Sequence, residues 1–223
     1  LYSESVSSVQ PQASGLTSFN DKGFAVGSHP GYNESGQTYV AWTFQKAPSY
    51  FDVVTYTGTG NTQTIEHDLG TEPGLMLFKR TDGTSSWNVY SKELGITKFL
   101  VLNESGAAAT VQPTNDFWGS TAPTSTEFTV GSDSPDQNQL NAEYVAYLFA
   151  ADTPGLIKCG SYSGNGSTQT INCGFAPQWL LLKSSTASNH SWYIHDLSRG
   201  NGSSTTDARA LQPNQTSAEF NSA

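Results

Sequence analysis

At 223 residues the chain has room for one large or two small domains. Its formal charge of −9, with only ten Lys and Arg scattered along it, excludes roles that work by neutralising phosphate, on nucleic acid or on an anionic membrane surface. Charged residues are 13% and aromatics 12%, with Ser, Thr, Asn, Gln and Gly carrying the polarity, which suits half-buried pleated strands and their turns and excludes a disordered chain.

No stretch is apolar for long enough to cross a membrane as a helix, which argues against membrane insertion. No leader pattern is present and the only Met is Met76, so the opening at Leu1 reads as the middle of something longer. Residues 1–48 hold a Ser-rich lead, a strand at Phe24-Ala25-Val26, a Gly/Asn loop through Tyr32 and Gly36, and a strand at Tyr39-Val40-Ala41-Trp42-Thr43-Phe44. The connector Lys46-Ala47-Pro48-Ser49 is kept extended by its proline. Residues 49–153 then predict a strand at 51–57, a Gly58-Thr59-Gly60-Asn61 hairpin turn, a returning strand at 62–66, and strands at 75–80, 87–90 and 98–103. A long polar excursion with Trp118 and Pro123 follows, and the stretch closes with Phe128-Thr129-Val130-Gly131-Ser132 and Tyr144-Val145-Ala146-Tyr147-Leu148-Phe149. No segment keeps helical periodicity long enough for a major helix.

Much of this occurs more than once. Phe24 and Phe128 stand 104 positions apart, and Tyr39 and Tyr144 stand 105 apart, each opening the same short motif. Tyr162 through Gly164-Asn165-Gly166 to Ile171 repeats Tyr56 through Gly58-Thr59-Gly60 to Ile65. Pro177-Gln178-Trp179-Leu180-Leu181-Leu182-Lys183 repeats Pro73-Gly74-Leu75-Met76-Leu77-Phe78-Lys79, and Trp192 repeats Trp87. The expected organisation is the C-terminal half of one repeat (1–48), a complete repeat (49–153) and the N-terminal part of another (154–223). The fold class this predicts is all-β, with tandem β-sandwich repeats of jelly-roll type, about 105 residues each. A unit of that size forms a domain of its own, so the expected array is beads on a string. One feature strains that picture: residues 75–78, 99–102 and 144–149 are apolar on both faces, so their outer face needs cover, from an excursion of the same domain or from an oligomer contact.

The residues that could carry chemistry are few. Glu66 and Asp68 are the nearest approach to a glycosidase carboxylate pair, but they end a strand and run into a turn, and read as solvated turn carboxylates. His29, His67, His190 and His195 share no metal-ligand spacing, and His195-Asp196 comes without a nucleophile motif. Asp133-Ser134-Pro135-Asp136-Gln137-Asn138 spaces oxygen ligands yet lacks the Gly and bidentate Glu of a calcium loop. The expectation is a non-enzyme with no catalytic residue, no metal and no cofactor. Cys159 and Cys173 flank a predicted hairpin centred on Gly166 and would face each other across its ladder, as a disulfide or as two free thiols. Trp118, an aromatic among amides on a loop, is the one candidate ligand contact, with packing against the sheet as the competing role.

The run Tyr56-Thr57-Gly58-Thr59-Gly60 with Gln63-Thr64-Ile65-Glu66-His67, the runs at 73–83, 87–90 and 123–132, and the closing Tyr144-Val145-Ala146-Tyr147-Leu148-Phe149-Ala150 resemble a repeat of bacteriophage tail-fibre and related virion appendage proteins. The resemblance covers essentially the whole chain. It implies a concanavalin-A-like β-sandwich module, in tandem, acting as a structural and adhesive part of a virion appendage. The partners it implies are other virion proteins and a host surface glycan or protein, in a homo-oligomer for which a trimer is one option, located on the virion and extracellular. It carries over no catalytic residue. A secreted bacterial lectin-like or matrix module is the alternative reading, and a glycan depolymerase a more distant one. The third segment departs from the pattern at Cys159 and Cys173 and at Arg199-Gly200-Asn201-Gly202.

Overall fold

A computed structural model describes residues 1–114, 116–132, 134, 136–199 and 209–221, the last two by their backbone only. The chain is nearly all β and divides into two compact units, Leu1–Ser8 with Gln45–Ala223, and Val9–Phe44.

The smaller unit is a hairpin followed by a single helical turn. β1 (Leu16–Asn20) pairs antiparallel with β2 (Gly23–Val26). The turn α1 (Pro30–Asn33) starts at His29, whose Nδ1 accepts from Gly31 N at 3.0 Å, with proline at the first position where no donor is lost. Gly27 is required by a close approach: a Cβ there would sit 2.5 Å from the Ser14 carbonyl oxygen. Residues 39–44, predicted as a strand, join no ladder. Their sequence counterpart is paired on both edges, whereas the two strands of the smaller unit pair with each other.

The larger unit is built on β3 (Phe51–Thr57), β4 (Gln63–Glu66), β5 (Pro73–Arg80), β6 (Asn88–Ser91), β7 (Lys98–Val101), β8 (Ala109–Thr110), β9 (Glu127–Val130) and β10 (Glu143–Ala150). Six of these form one antiparallel sheet in the order β3-β10-β5-β6-β7-β8, and β4 pairs with β9 in a second, smaller sheet. The placement of β4 corrects the expected hairpin. Gly58-Thr59-Gly60-Asn61 is an arch between two sheets, and Asn138 clamps it. Asn138 Oδ1 accepts from Thr59 N (2.9 Å) and Gln63 Nε2 (2.8 Å), while its Nδ2 donates to the Asn61 and Gly131 carbonyls at 2.7 Å each. A Cβ on Gly58 would meet the Gln139 carbonyl oxygen at 2.1 Å, so only glycine lets the arch lie against this loop.

Strand alternation sends Met76, Phe78, Tyr90, Ala146 and Leu148 to the inner face, where Ile65, Phe128 and Val130 of the small sheet close a sandwich-like core over them. Trp118 lies in this core, 1% exposed. At Gly131 a Cβ would fall 1.6 Å from the Asp116 carbonyl oxygen, and Gly131 N donates to Phe117 O. The first copy has the same arrangement at Gly27, whose N–H donates to Gly15 O, so the recurring Val-Gly-Ser motif marks a backbone-on-backbone approach.

The outer face of the large sheet is apolar too, as the two-faced strands require. Val89, Leu100, Leu102 and Trp87 form a second core there, and Trp192 is buried in it with Leu181 against it. Cover therefore comes from this chain's own residues 154–223, and the expectation of independent beads is corrected: the segments share a core. The chain enters that segment through β11 (Asp152–Thr153), paired with β12 (Ile157–Lys158), and continues with β13 (Trp179–Leu182) paired with β14 (Tyr193–Asp196), a 3-10 turn at Leu197–Arg199, and β15 (Arg209–Ala210) paired with β16 (Phe220–Asn221). β13 and β14 pair Trp179 with Asp196 and Leu182 with Tyr193, the register in which β5 and β6 pair Leu75 with Ser91 and Phe78 with Asn88.

Candidate functional site

A cluster of ionisable side chains lies where the chain enters β3 and leaves β4. Asp52 is the second residue of β3, is fully buried, and faces the inner side of the sheet. Its carboxylate takes Lys46 Nζ at 2.9 Å, Val53 N at 2.7 Å and Asp68 N at 2.7 Å. Burial pushes this carboxyl up, but the hydrogen bonds from Lys46, Asp68 and Val53 outweigh it and hold the group below its ordinary value. Lys46 also reaches Asp68 Oδ2 at 2.9 Å, and its two carboxylate partners raise its own value. His67 is 6% exposed and lies flat against Phe128, ring centroids 6.3 Å apart. Its Nδ1 accepts from Leu69 N at 3.2 Å, which leaves the proton on Nε2, toward the Thr124 backbone. Burial pushes the His67 imidazole down, against the opposing field of Asp52. Together with Glu66 these residues line a shallow cavity of about 360 Å³.

This geometry suits a clasp better than a catalyst. Both oxygens of Asp52 are already engaged by donors, so it is a poor base. Glu66 and Asp68 are exposed, as expected of turn carboxylates, and Asp68 is further engaged by Lys46. What the cluster does is tie the 46–49 connector to both sheets at the start of the sandwich. Sequence reading missed it because a Lys in a connector and an Asp inside a strand carry no joint signal; only the fold brings positions 46, 52 and 68 together.

The other predicted residues go elsewhere. Trp118 takes the packing role: it packs on Tyr90 and Phe78, with ring centroids 5.3 and 5.6 Å away, and its Nε1 donates to the Lys98 carbonyl at 3.0 Å. Asp116 turns the chain inward here by accepting from Trp118 N and Ser120 Oγ. Cys159 and Cys173 are free thiols. The premise of their pairing fails with the hairpin, because their counterparts flank an arch whose two arms lie in different sheets, and residues 159–173 join no ladder. Burial pushes the Cys159 thiol up to about 11.

His195 and Asp196 point to different tasks. His195 Nδ1 lies 3.1 Å from Arg209 O, while Asp196 is buried and takes Arg199 Nε at 2.7 Å. In the loop expected to space oxygen ligands, Asp133 and Pro135 lie outside the described residues, Ser134, Gln137 and Asn138 are buried, and Asn138 serves the arch. Gly200, Asn201 and Gly202 of the predicted insertion also lie outside the described residues. Among the described residues no group of His, Cys, Asp and Glu is arranged to hold a metal ion, and no helix is long and apolar enough to cross a membrane.

The chain belongs to the family described as "Domain of unknown function (DUF7483)", whose model matches residues 1–223. No curated protein and no solved structure matches it.

Proposed function

We propose that this chain is a structural and adhesive module of a bacteriophage tail fibre or similar virion appendage, built from tandem β-sandwich repeats of about 105 residues and contributing to attachment at the host surface. The observation that supports this reading is a packing joint that occurs twice. Trp87 Nε1 donates to the Tyr2 carbonyl at 3.0 Å and Lys79 Nζ to the Val6 carbonyl at 2.9 Å. At the counterpart positions Trp192 Nε1 donates to the Val101 carbonyl at 2.9 Å and Lys183 Nζ to the Ser105 carbonyl at 3.4 Å. The tryptophan backbones match as well, with Trp87 N donating to Asn103 Oδ1 and Trp192 N to Asn214 Oδ1.

The same tryptophan and lysine thus make the same joint twice within the larger compact unit, as a repeating architecture requires. Repeating one module in this way lets an appendage carry a binding surface away from a particle. The acidic surface, rich in Ser, Thr, Asn and Gly, keeps such an array soluble and suits contact with hydroxylated host glycans. The partners in this reading are other virion proteins, further copies of the chain, and a glycan or protein of the host surface. Gold-labelled antibody against the chain, applied to purified virions and imaged in negative stain, tests it. Label along an appendage is the expected result. Label confined to opened capsids, or absent from virions and present in the secreted bacterial fraction, refutes the appendage and favours a secreted lectin-like module.

A further inference from the structure

We propose that residues 24–41 of one copy of this chain dock on the arch at 163–169 and on β13 of a second copy, closing there the kind of sandwich that residues 49–153 close by themselves. This names the surfaces by which further copies of the chain, counted as partners above, meet; it rests on that reading for nothing else. By the repeat, residues 24–41 hold the counterparts of β9 and the start of β10, and residues 162–196 hold those of the arch, β4, β5 and β6. The complete repeat is therefore a template, position by position, for two such halves once joined.

Both halves already have the shape the joint needs. In the complete repeat the clamp residue Asn138 donates from Nδ2 to Gly131 O, and Tyr144 Oη accepts from Gln139 N at 3.0 Å. In the first copy its counterpart Asn33 donates from Nδ2 to Gly27 O at 3.1 Å, and Tyr39 Oη accepts from Glu34 N at 2.9 Å. The clamp is thus built, and Asn33 is exposed. On the receiving side, Gly60 and Gly166 share a φ of 73°. Gln63 Nε2 donates to Thr57 O at 3.1 Å, as Gln169 Nε2 does to Ser163 O at 3.2 Å. The arch is built too.

What differs is what lies against them. A Cβ on Gly58 would strike the Gln139 carbonyl oxygen at 2.1 Å, whereas a Cβ on Gly164 would meet nothing within 4 Å among the described residues. The φ of Gly164 lies outside the left-handed region, so neither its backbone nor its surroundings demand glycine. A carbonyl arriving from Glu34, the counterpart of Gln139, does demand it. Phe24, Tyr39, Ile171 and Leu180 are 42–46% exposed, while their counterparts Phe128, Tyr144, Ile65 and Met76 are 1–8% exposed. Joined on the template, Ile171 stands opposite Phe24 as Ile65 does opposite Phe128. Asn33 Oδ1 then receives the Asn165 N–H and the Gln169 amide, as Asn138 Oδ1 receives those of Thr59 and Gln63. A second copy is the occupant because each chain carries one half of each kind, a head-to-tail match of two different surfaces.

Sedimentation velocity on the whole chain and on two variants at exposed positions is the test. The parent should associate reversibly at micromolar concentration. Phe24→Glu spoils the donating half and Gly164→Ala the receiving half, and each should weaken association about tenfold or more. Neither position is in a core of the single chain, so both variants should fold, which hydrogen-exchange protection at 143–150 checks. Because the two surfaces differ, an equal mixture of the variants restores one sound joint. It should give a dimer at concentrations where each variant alone is a monomer. The proposal is overturned if the parent stays monomeric, if either variant associates like the parent, or if the mixture fails to associate. The appendage reading fails independently, by the virion labelling alone.

Discussion

Trp192 offers the most direct test of the joint between segments. It is 3% exposed, packs with Trp87, Val89, Leu100 and Leu102, and donates its indole N–H to Val101 O at 2.9 Å. Trp192→Ala removes a fully buried aromatic from a site whose walls belong to two segments, a change that costs about 3–5 kcal/mol. Trp192→Phe keeps most of the apolar contact and loses one hydrogen bond to a backbone carbonyl, at a cost of about 1–2 kcal/mol. The loss should fall unevenly. The inner core does not include Trp192, whereas β13 and β14 meet the outer face through Trp192, Leu181 and Lys183. Hydrogen exchange followed by mass spectrometry is the assay. In Trp192→Ala the amides of 179–196 should exchange about a hundredfold faster or more, since each 1.4 kcal/mol is about tenfold, while those of 143–150 keep their protection. Uniform loss across both regions would mean the segments unfold as one unit. No change at 179–196 would mean the indole is not what holds them.

Four further outcomes follow from the buried groups. Trp118→Ala should destabilise the inner core by about 3–5 kcal/mol in denaturant titrations, and a variant as stable as the parent would return Trp118 to the loop surface. His67 is held below its ordinary value by burial, so the folded chain takes up that proton less readily than the unfolded one. Stability should therefore fall as pH drops from about 6.5 through the folded value, and His67→Gln should flatten that slope in denaturation midpoints taken between about pH 7.5 and about pH 5; equal slopes would refute the assignment. Asp52 adds a separate loss on the acid side below about pH 4, because its folded value is the depressed one and its bonds vanish on protonation. Finally, the chain unfolded without reductant should titrate as two thiols, with Cys159 alkylating slowly in the folded state; fewer than two thiols would indicate a disulfide that this fold does not make.

What could be read in the sequence was whatever depends on local pattern. The strand positions of β3, β5, β6, β9 and β10 follow from apolar alternation and turn residues. The self-match at 104–106 positions anticipates the shared register of β5–β6 and β13–β14. The two-faced strands correctly demanded cover on the outer face. What failed was whatever depends on partner choice. Gly58-Thr59-Gly60 is as good a signal for an arch as for a hairpin, since the glycines report a tight bend and say nothing of which strand receives the next hydrogen bonds. The disulfide expectation inherited that error. Residues 39–44 have the composition of a central strand, yet composition supplies no neighbour. The two readings of Trp118 could not be separated for a related reason: its polar surroundings, Asp116 and Ser120, make the turn that drives the indole inward, to the packing role. The Lys46–Asp52–Asp68 cluster was invisible because its members meet only through the fold.

The shared outer core has a consequence for dividing the chain. Cutting after residue 153 leaves every strand of both sheets of the complete repeat intact, so a bead-like domain would survive the cut unharmed. Here the same cut removes Trp192 and Leu181 and uncovers Val89, Leu100 and Leu102, three side chains now 0–6% exposed, beside Leu75, Leu77 and Tyr147. A contiguous apolar patch of that extent on a flat sheet face is an association surface. The 1–153 fragment should thus self-associate in sedimentation velocity and bind a hydrophobic dye, while the 1–223 chain does neither at that face. Replacing Leu100 with Glu in the fragment should restore a monomer, because a charge at the centre of the bared face opposes association without entering the inner core. A fragment that sediments as a clean monomer and unfolds at the midpoint of the whole chain would show that the outer face needs no cover, and with it the joint would lose its structural role.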